Sequence, residues 1–97
     1  MVITVYYTTI TSTPALERNQ KQIIDMLDAL HIPYNLLDLA ADGNLLAIMR
    51  DKVGDCKAMV PQVFNGDQYC GDYAAFEQAM ENEKVKEFFK VDGQQKY

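Results

Sequence analysis

Two strand patterns flank one helical pattern with almost no chain to spare between them, and this restricts the fold more than any other feature. "VITVYY" (Val2 to Tyr7) is β-branched and aromatic, which suits a pleated, packed surface. It is apolar on both alternating faces apart from Thr4, as expected of a central strand covered on both sides. Thr13 followed by Pro14 reads as the N-cap and first residue of a helix, and Glu17 lies close enough to the first turn to favour its dipole. Leu16, Ile23, Ile24, Leu27 and Leu30 recur at helical spacing, with Arg18, Gln20, Lys21, Asp25 and Asp28 mainly on the other face. Pro33 disfavours helix at the residue before it, so the helix is expected to end near His31. "IPYNLLDL" (Ile32 to Leu39) is the second strand. Strand, helix and strand with such short joins predict a parallel pair with a right-handed crossover.

The remaining chain adds a second helix, a hairpin and a helical end. In "ADGN" (Ala41 to Asn44), Asp42 is expected to cap a helix carrying Leu45, Ile48, Met49 and Val53, with Gly54 as its stop. "MVPQVFNGDQYCGDY" (Met59 to Tyr73) reads as a β-hairpin about Asn65-Gly66, in a type I′ turn with positive φ at both central residues. Gly71-Asp72 is expected to break the return strand. Asp72 then caps a third helix buried through Phe76, Ala79 and Met80. "NEKVKEFFK" (Asn82 to Lys90) continues as a short last helix holding Val85, Phe88 and Phe89. Glu81, Glu83 and Glu87 alternate with Lys84, Lys86 and Lys90 as a solvated helix face. Residues 92–97 are expected to fray, leaving one domain over residues 1–91. The order β-α-β-α-β-β-α-α gives a four-stranded mixed sheet with helices on both faces, the thioredoxin-like α/β order.

Composition narrows the partners. Ninety-seven residues suffice for one domain and not two. Net charge is −5, and the nine Lys and Arg residues are scattered. A nucleic-acid surface needs a positive footprint, as does binding to an anionic membrane, so neither is expected. No apolar run approaches the ~18 residues that span a bilayer, and no secretory pattern opens the chain. The expected location is cytoplasmic or nuclear. Cys56 and Cys70 read as free thiols. With one histidine and no CxxC or HxxxH spacing, no protein-only zinc site is expected.

With these elements in place, the residues resemble glutaredoxins. "IPY" (Ile32 to Tyr34), "VPQVFNG" (Val60 to Gly66) and "CGD" (Cys70 to Asp72) fall where that family places its second strand, its cis-proline strand and its glycine turn. "VYYTT", "IPYNLLDLAAD" and especially "PQVFNGDQYCGDYAAFEQA" are similar, over nearly the whole chain, to the small SH3-domain-binding glutamic-acid-rich-like proteins. That resemblance implies a glutaredoxin-like fold in an adaptor or modulator that binds protein partners, without established enzymology. The glutamate-rich tail of longer relatives is absent here. Pro14, Pro33 and Pro61 stand isolated with no PxxP. The SH3 domain is therefore not carried over as a partner.

Chemistry at the resembling site is limited. A redox cysteine acts as a thiolate, usually at a helix N-terminus. The matching loop, Thr8 to Pro14, holds Thr8, Thr9, Thr11, Ser12 and Thr13 and no sulfur. Hydroxyl nucleophiles would need an adjacent base. His31 lies at the far end of the helix, more than ~20 Å away at ~1.5 Å rise per residue. No catalytic residue is expected. A binding groove is expected at Thr11, Ser12, Val60, Pro61, Tyr69, Cys70, Gly71 and Asp72. Tyr6, Tyr7 and Tyr73 are candidates for its rim or for the core. Pro61 resembles the cis-proline, which in related folds exposes the preceding backbone to an extended thiol peptide. Asp72 sits at a helix start, where it can simply be the N-cap, and its charge opposes an anionic ligand. The resemblance requires no cofactor. It leaves open glutathione, or an iron–sulfur cluster ligated by Cys70 with help from outside the chain. Cys70 is otherwise a small core residue.

Overall fold

The computed structural model describes residues 2–91, so the expectation for residues 92–97 lies outside the described residues. The elements in chain order are β1 (Ile3–Tyr7), α1 (Pro14–Ala29), β2 (Tyr34–Asp38), α2 (Leu45–Val53), β3 (Gln62–Asn65), β4 (Gln68–Asp72), α3 (Tyr73–Glu81) and α4 (Val85–Phe88). The strands form one sheet in the order β2-β1-β3-β4. β1 pairs parallel with β2, β3 runs antiparallel to β1, and β4 antiparallel to β3. β1 is therefore a central strand, as its apolar character requires. Ile3, Val5 and Val63 join Ile23 and Leu27 of α1, Phe76 of α3, Phe88 of α4 and Phe89 just after it on one face. Tyr6, Met49 of α2, Ala58, Val60 and Phe64 form a second cluster on the other. This is the thioredoxin-like arrangement, with helices on both faces.

Local signals explain most boundaries. Thr13 is extended (φ −143°, ψ 151°), and its Oγ1 accepts the Leu16 N–H at 3.1 Å. Asp72 caps α3 the same way, accepting the Ala75 N–H at 3.0 Å, although β4 runs through Asp72 rather than breaking at Gly71. Gly54 ends α2 in the left-handed region at φ 82°.

Other boundaries differ from expectation. The hairpin has Asn65 paired with Gln68, so its central residues are Gly66 and Asp67. Only Gly66 has positive φ, the requirement of a type II′ turn. Asn44, not Asp42, is the N-cap of α2; the Asp42 carboxylate accepts the Asn44 N–H in a local turn. Ile48 is exposed, and Met49 alone on α2 is fully buried. Helix α1 ends in a Schellman turn, with Ile32 N–H donating to Leu27 C=O and His31 N–H to Asp28 C=O. His31 itself takes the left-handed position usually held by glycine (φ 58°). Glu83 does the same after α3, which is why α4 starts at Val85 and not at Asn82.

One irregularity lies in β4. Val63 pairs with Gly71 and Phe64 with Tyr69, so Cys70 is the extra residue of a β-bulge. A Cβ on Gly71 would meet Ala75 Cβ at 2.8 Å and Phe88 Cε1 at 2.9 Å. Only glycine lets α3 and α4 approach the strand this closely.

Candidate functional site

The loop after β1 is held by side chains rather than by packing. Thr8 N–H donates to Gln20 Oε1 at 3.0 Å, and Gln20 Nε2 donates to Thr8 C=O at 2.9 Å. Thr9 donates to Asp38 through both its N–H (3.1 Å) and its hydroxyl (2.8 Å). The Thr9 hydroxyl bond holds the Asp38 carboxyl below its ordinary 3.8, against the opposing effect of burial and with help from the Ala40 and Thr9 N–H groups. Gln20, placed by its polarity on the outer face, is in fact 5% exposed. It follows Leu16 by four residues and precedes Ile23 by three, the spacing of the buried face, and its amide pairs with both backbone groups of half-buried Thr8.

The loop before Pro61 is held from α2. Arg50 Nε donates to Ala58 C=O at 2.9 Å, and its Nη2 lies 3.3 Å from the Met59 sulfur. The Val60–Pro61 bond is cis. The Val60 side chain is buried with the second core cluster. Among the described residues, its N–H and C=O have no hydrogen-bond partner. Gln62 is buried, donating to Met59 C=O at 2.7 Å and accepting from the Tyr69 hydroxyl at 2.5 Å. The Tyr69 ring leans on Phe64, with centroids 5.1 Å apart. Gln62 and Tyr69 thus brace the two strands of the hairpin against each other.

A groove results. One hollow of about 360 Å³ is lined by Val60, Pro61, Gln62, Tyr69, Asp72 and Tyr73, among others. A second, of about 310 Å³, adjoins it through Leu16, Met59 and Val60, which line both. Ser12 and Ile10 form part of its far wall. Three large apolar side chains stand exposed along this line, Ile10 (77%), Met59 (61%) and Tyr69 (38%). The loop from Thr8 to Pro14 flanks the groove at one end.

Of the eight expected groove residues, Val60, Pro61, Tyr69 and Asp72 line the first hollow and Ser12 the second. Thr11 lines a separate depression with Glu17, Gln20 and Lys21. Gly71 is buried under Ala75 and Phe88. Cys70 packs against the opposite core cluster, away from Tyr69. Burial pushes its thiol from 9.0 up to about 11, only partly offset by Lys90 and the Asn65 N–H. The protonated form therefore prevails at neutral pH, which weighs against Cys70 as a thiolate ligand. Tyr7 lines the depression that holds Thr11, Tyr73 lines the first hollow, and Tyr6 belongs to the core. Gln20, Gln62 and Arg50 escaped sequence reasoning; for Gln20 the helical period was the one signal available. Among the described residues no group of three or more His, Cys, Asp and Glu side chains is placed to hold a metal ion, and no helix is long and apolar enough to cross a membrane.

The geometry has counterparts. A family model described as SH3-binding, glutamic acid-rich protein matches residues 1–92. The chain is 30% identical over 103 residues to a Drosophila melanogaster SH3 domain-binding glutamic acid-rich protein homolog, covering 94% of this chain and 65% of that one. The chain thus spans about two-thirds of that relative's length. Among solved structures, a buckwheat glutaredoxin–glutathione complex superposes with a TM-score of 0.69 at 17% identity, over 94% of this chain and 78% of the other. The C. albicans actin interacting protein Aip5 superposes with a TM-score of 0.70 at 18% identity, over 91% and 87%. At such identities these structures establish the fold: a glutaredoxin-like α/β domain.

Proposed function

This chain belongs to the SH3-binding, glutamic acid-rich protein family, and on that premise we propose that it is a non-catalytic binding module of the cytoplasm or nucleus. Its groove receives an extended segment of a protein partner. One observation carries the reading: Val60 lines both hollows, its backbone N–H and C=O have no hydrogen-bond partner among the described residues, and the exposed Met59 and Tyr69 line the first hollow with it. An added strand segment would satisfy those groups while its side chains enter the flanking hollows. The names of two similar proteins, one SH3 domain-binding and one actin interacting, describe proteins that act by binding others. With no PxxP in this chain, an SH3 domain is not the partner proposed.

The loop that would carry redox chemistry contains hydroxyls and no sulfur, and Cys70, with its thiol pushed up to about 11 by burial, packs on the other face of the sheet. Thiol–disulfide exchange requires a thiolate, so turnover is not expected. Glutathione would be at most a ligand of the groove, and a Cys70-ligated cluster has no support in this geometry.

The test is panning of phage-displayed random heptamers on the protein, followed by amide chemical-shift mapping with a selected peptide. Shifts are expected to centre on Met59, Val60 and Tyr69. Shifts centred on β2 and Leu36 instead would remove the groove as the docking site. A parallel hydroxyethyl disulfide assay with glutathione is expected to run at the uncatalysed rate; turnover at a glutaredoxin's rate would reverse the non-catalytic assignment.

A further inference from the structure

Two carboxylates face the first hollow with part of each unused. Asp55 Oδ1 accepts the Lys57 N–H at 2.9 Å, and Asp72 Oδ1 accepts the Ala75 N–H at 3.0 Å. Among the described residues neither Oδ2 has a hydrogen-bond partner, and neither carboxylate is in an ion pair. Both line the hollow that holds Tyr69. Burial raises the Tyr69 phenol first, and the fields of Asp72 and then Asp55 raise it further, so both charges converge on one point. Lys57 is the single cation lining this hollow, and two carboxylates against one ammonium leave it at −1.

The adjoining hollow is of another kind. Ile10, Leu16, Leu39, Leu46, Met59 and Val60 wall it, and no charged residue lines it. An extended chain places side chains two residues apart on the same side. A segment running along Val60 would therefore offer one side chain to each hollow.

We infer that the groove selects an extended segment in which a basic residue and a large apolar residue are separated by one residue. The basic group lies between Asp55 and Asp72, and the apolar one in the hollow beside Met59. The inference rests on the groove reading above and adds the partner's chemistry to it. Arginine suits the site better than lysine, because its planar fork can meet both free carboxylate oxygens and lie against the Tyr69 ring. Glutathione, with two carboxylates and one ammonium, carries the wrong net charge.

The experiment compares heptamer panning on the full chain and on the Asp55→Asn/Asp72→Asn variant. Asparagine keeps the side-chain oxygen that accepts each backbone N–H, and it is a good N-cap, so the fold is preserved while the charge is removed. Wild-type selections are expected to carry Arg or Lys two positions from Leu, Ile, Val or Phe. A selected peptide should bind the variant about tenfold more weakly and lose affinity with added salt, as charge pairs at an interface rim do. The variant should keep the apolar preference. Lys57→Gln removes the competing ammonium and should tighten binding by about threefold. Groove-bound peptides without a basic preference, equal affinity for the variant, or weaker binding to Lys57→Gln would overturn the inference and leave the groove standing. Failure to select any groove-bound peptide would overturn both.

Discussion

On one face of the sheet Phe76, Phe88 and Phe89 meet with ring centroids 5.0–5.9 Å apart, over Ile3, Val5 and Val63. On the other, Tyr6, Met49, Val60 and Phe64 pack beneath the nine-residue helix α2 and Leu16 of α1, and the packing ends in an open groove. The first face is closed by shape, down to a glycine that lets two helices touch the strand. The second is held at its margins by polar clamps: Gln20 on Thr8, Asp38 on Thr9, Arg50 on Ala58, Gln62 on Met59 and Tyr69. Apolar rings interlock on the first face, while on the second the proposed groove leaves the Val60 N–H and C=O without a hydrogen-bond partner among the described residues. A chain this small has room for both because they occupy opposite sides of one sheet.

The contrast breaks most readily at its strong side. Phe76→Ala is expected to cost about 4 kcal/mol, since it removes the ring that both other phenylalanines touch. Met59→Ala, at an exposed position on the open side, should cost less than about 0.5 kcal/mol. Urea unfolding of both variants measures the difference, and similar losses would mean that the faces do not divide the work. The thiols report on the same division. Cys70 belongs to the closed side, and a rise from 9.0 to about 11 makes its thiolate about a hundredfold rarer at neutral pH. Iodoacetamide should therefore alkylate Cys70 about a hundredfold more slowly than N-acetylcysteine, with exposed Cys56 modified first; mass spectrometry of a time course reads both sites. Gln20→Leu sharpens the open side. Losing both bonds to Thr8 should cost about 2 kcal/mol, with amide exchange accelerated at Thr8 and Thr9 more than in β1. Uniform acceleration through the sheet would show instead that Gln20 acts as part of the main core.

Much of the closed side was legible in the sequence. Val2 to Tyr7 read as a buried central strand because no polar residue but Thr4 interrupts it, and Phe76, Phe88 and Phe89 fell on helical stripes. Caps at Thr13 and Asp72 and the stop at Gly54 are local chemistry, readable from neighbouring residues. The clamps were not legible, because each joins residues far apart in the chain: Thr8 to Gln20, Thr9 to Asp38, Gln62 to Tyr69. A buried glutamine looks like a surface glutamine until its partner's position is known. The helix end near His31 was legible from Pro33, but the end at Glu83 was obscured for a related reason, since an ordinary side chain there occupies a backbone conformation that signals glycine. The hairpin turn slid by one residue, and Asn65 is instead paired in β3 with its side-chain NH2 donating to Phe89 C=O and Lys90 C=O, while its Oδ1 is buried without a partner among the described residues. For the site, Ser12, Val60, Pro61, Tyr69 and Asp72 line the two hollows, whereas Thr11, Cys70 and Gly71, grouped with them by proximity in sequence, do not.

The surplus residue in β4 decides what that strand can present. In an unbroken strand, positions 69 and 71 would point the same way. With Cys70 inserted, the phenol of Tyr69 overlooks the groove while Gly71 admits Phe88 on the reverse side. Pairing Cys70 into a regular ladder would restore even parity between positions 69 and 71 and force a choice between the two: either the helices lose their seat or the hollow loses its tyrosine. The unpaired state of Cys70 therefore decides which way its two neighbours face as much as their identities do.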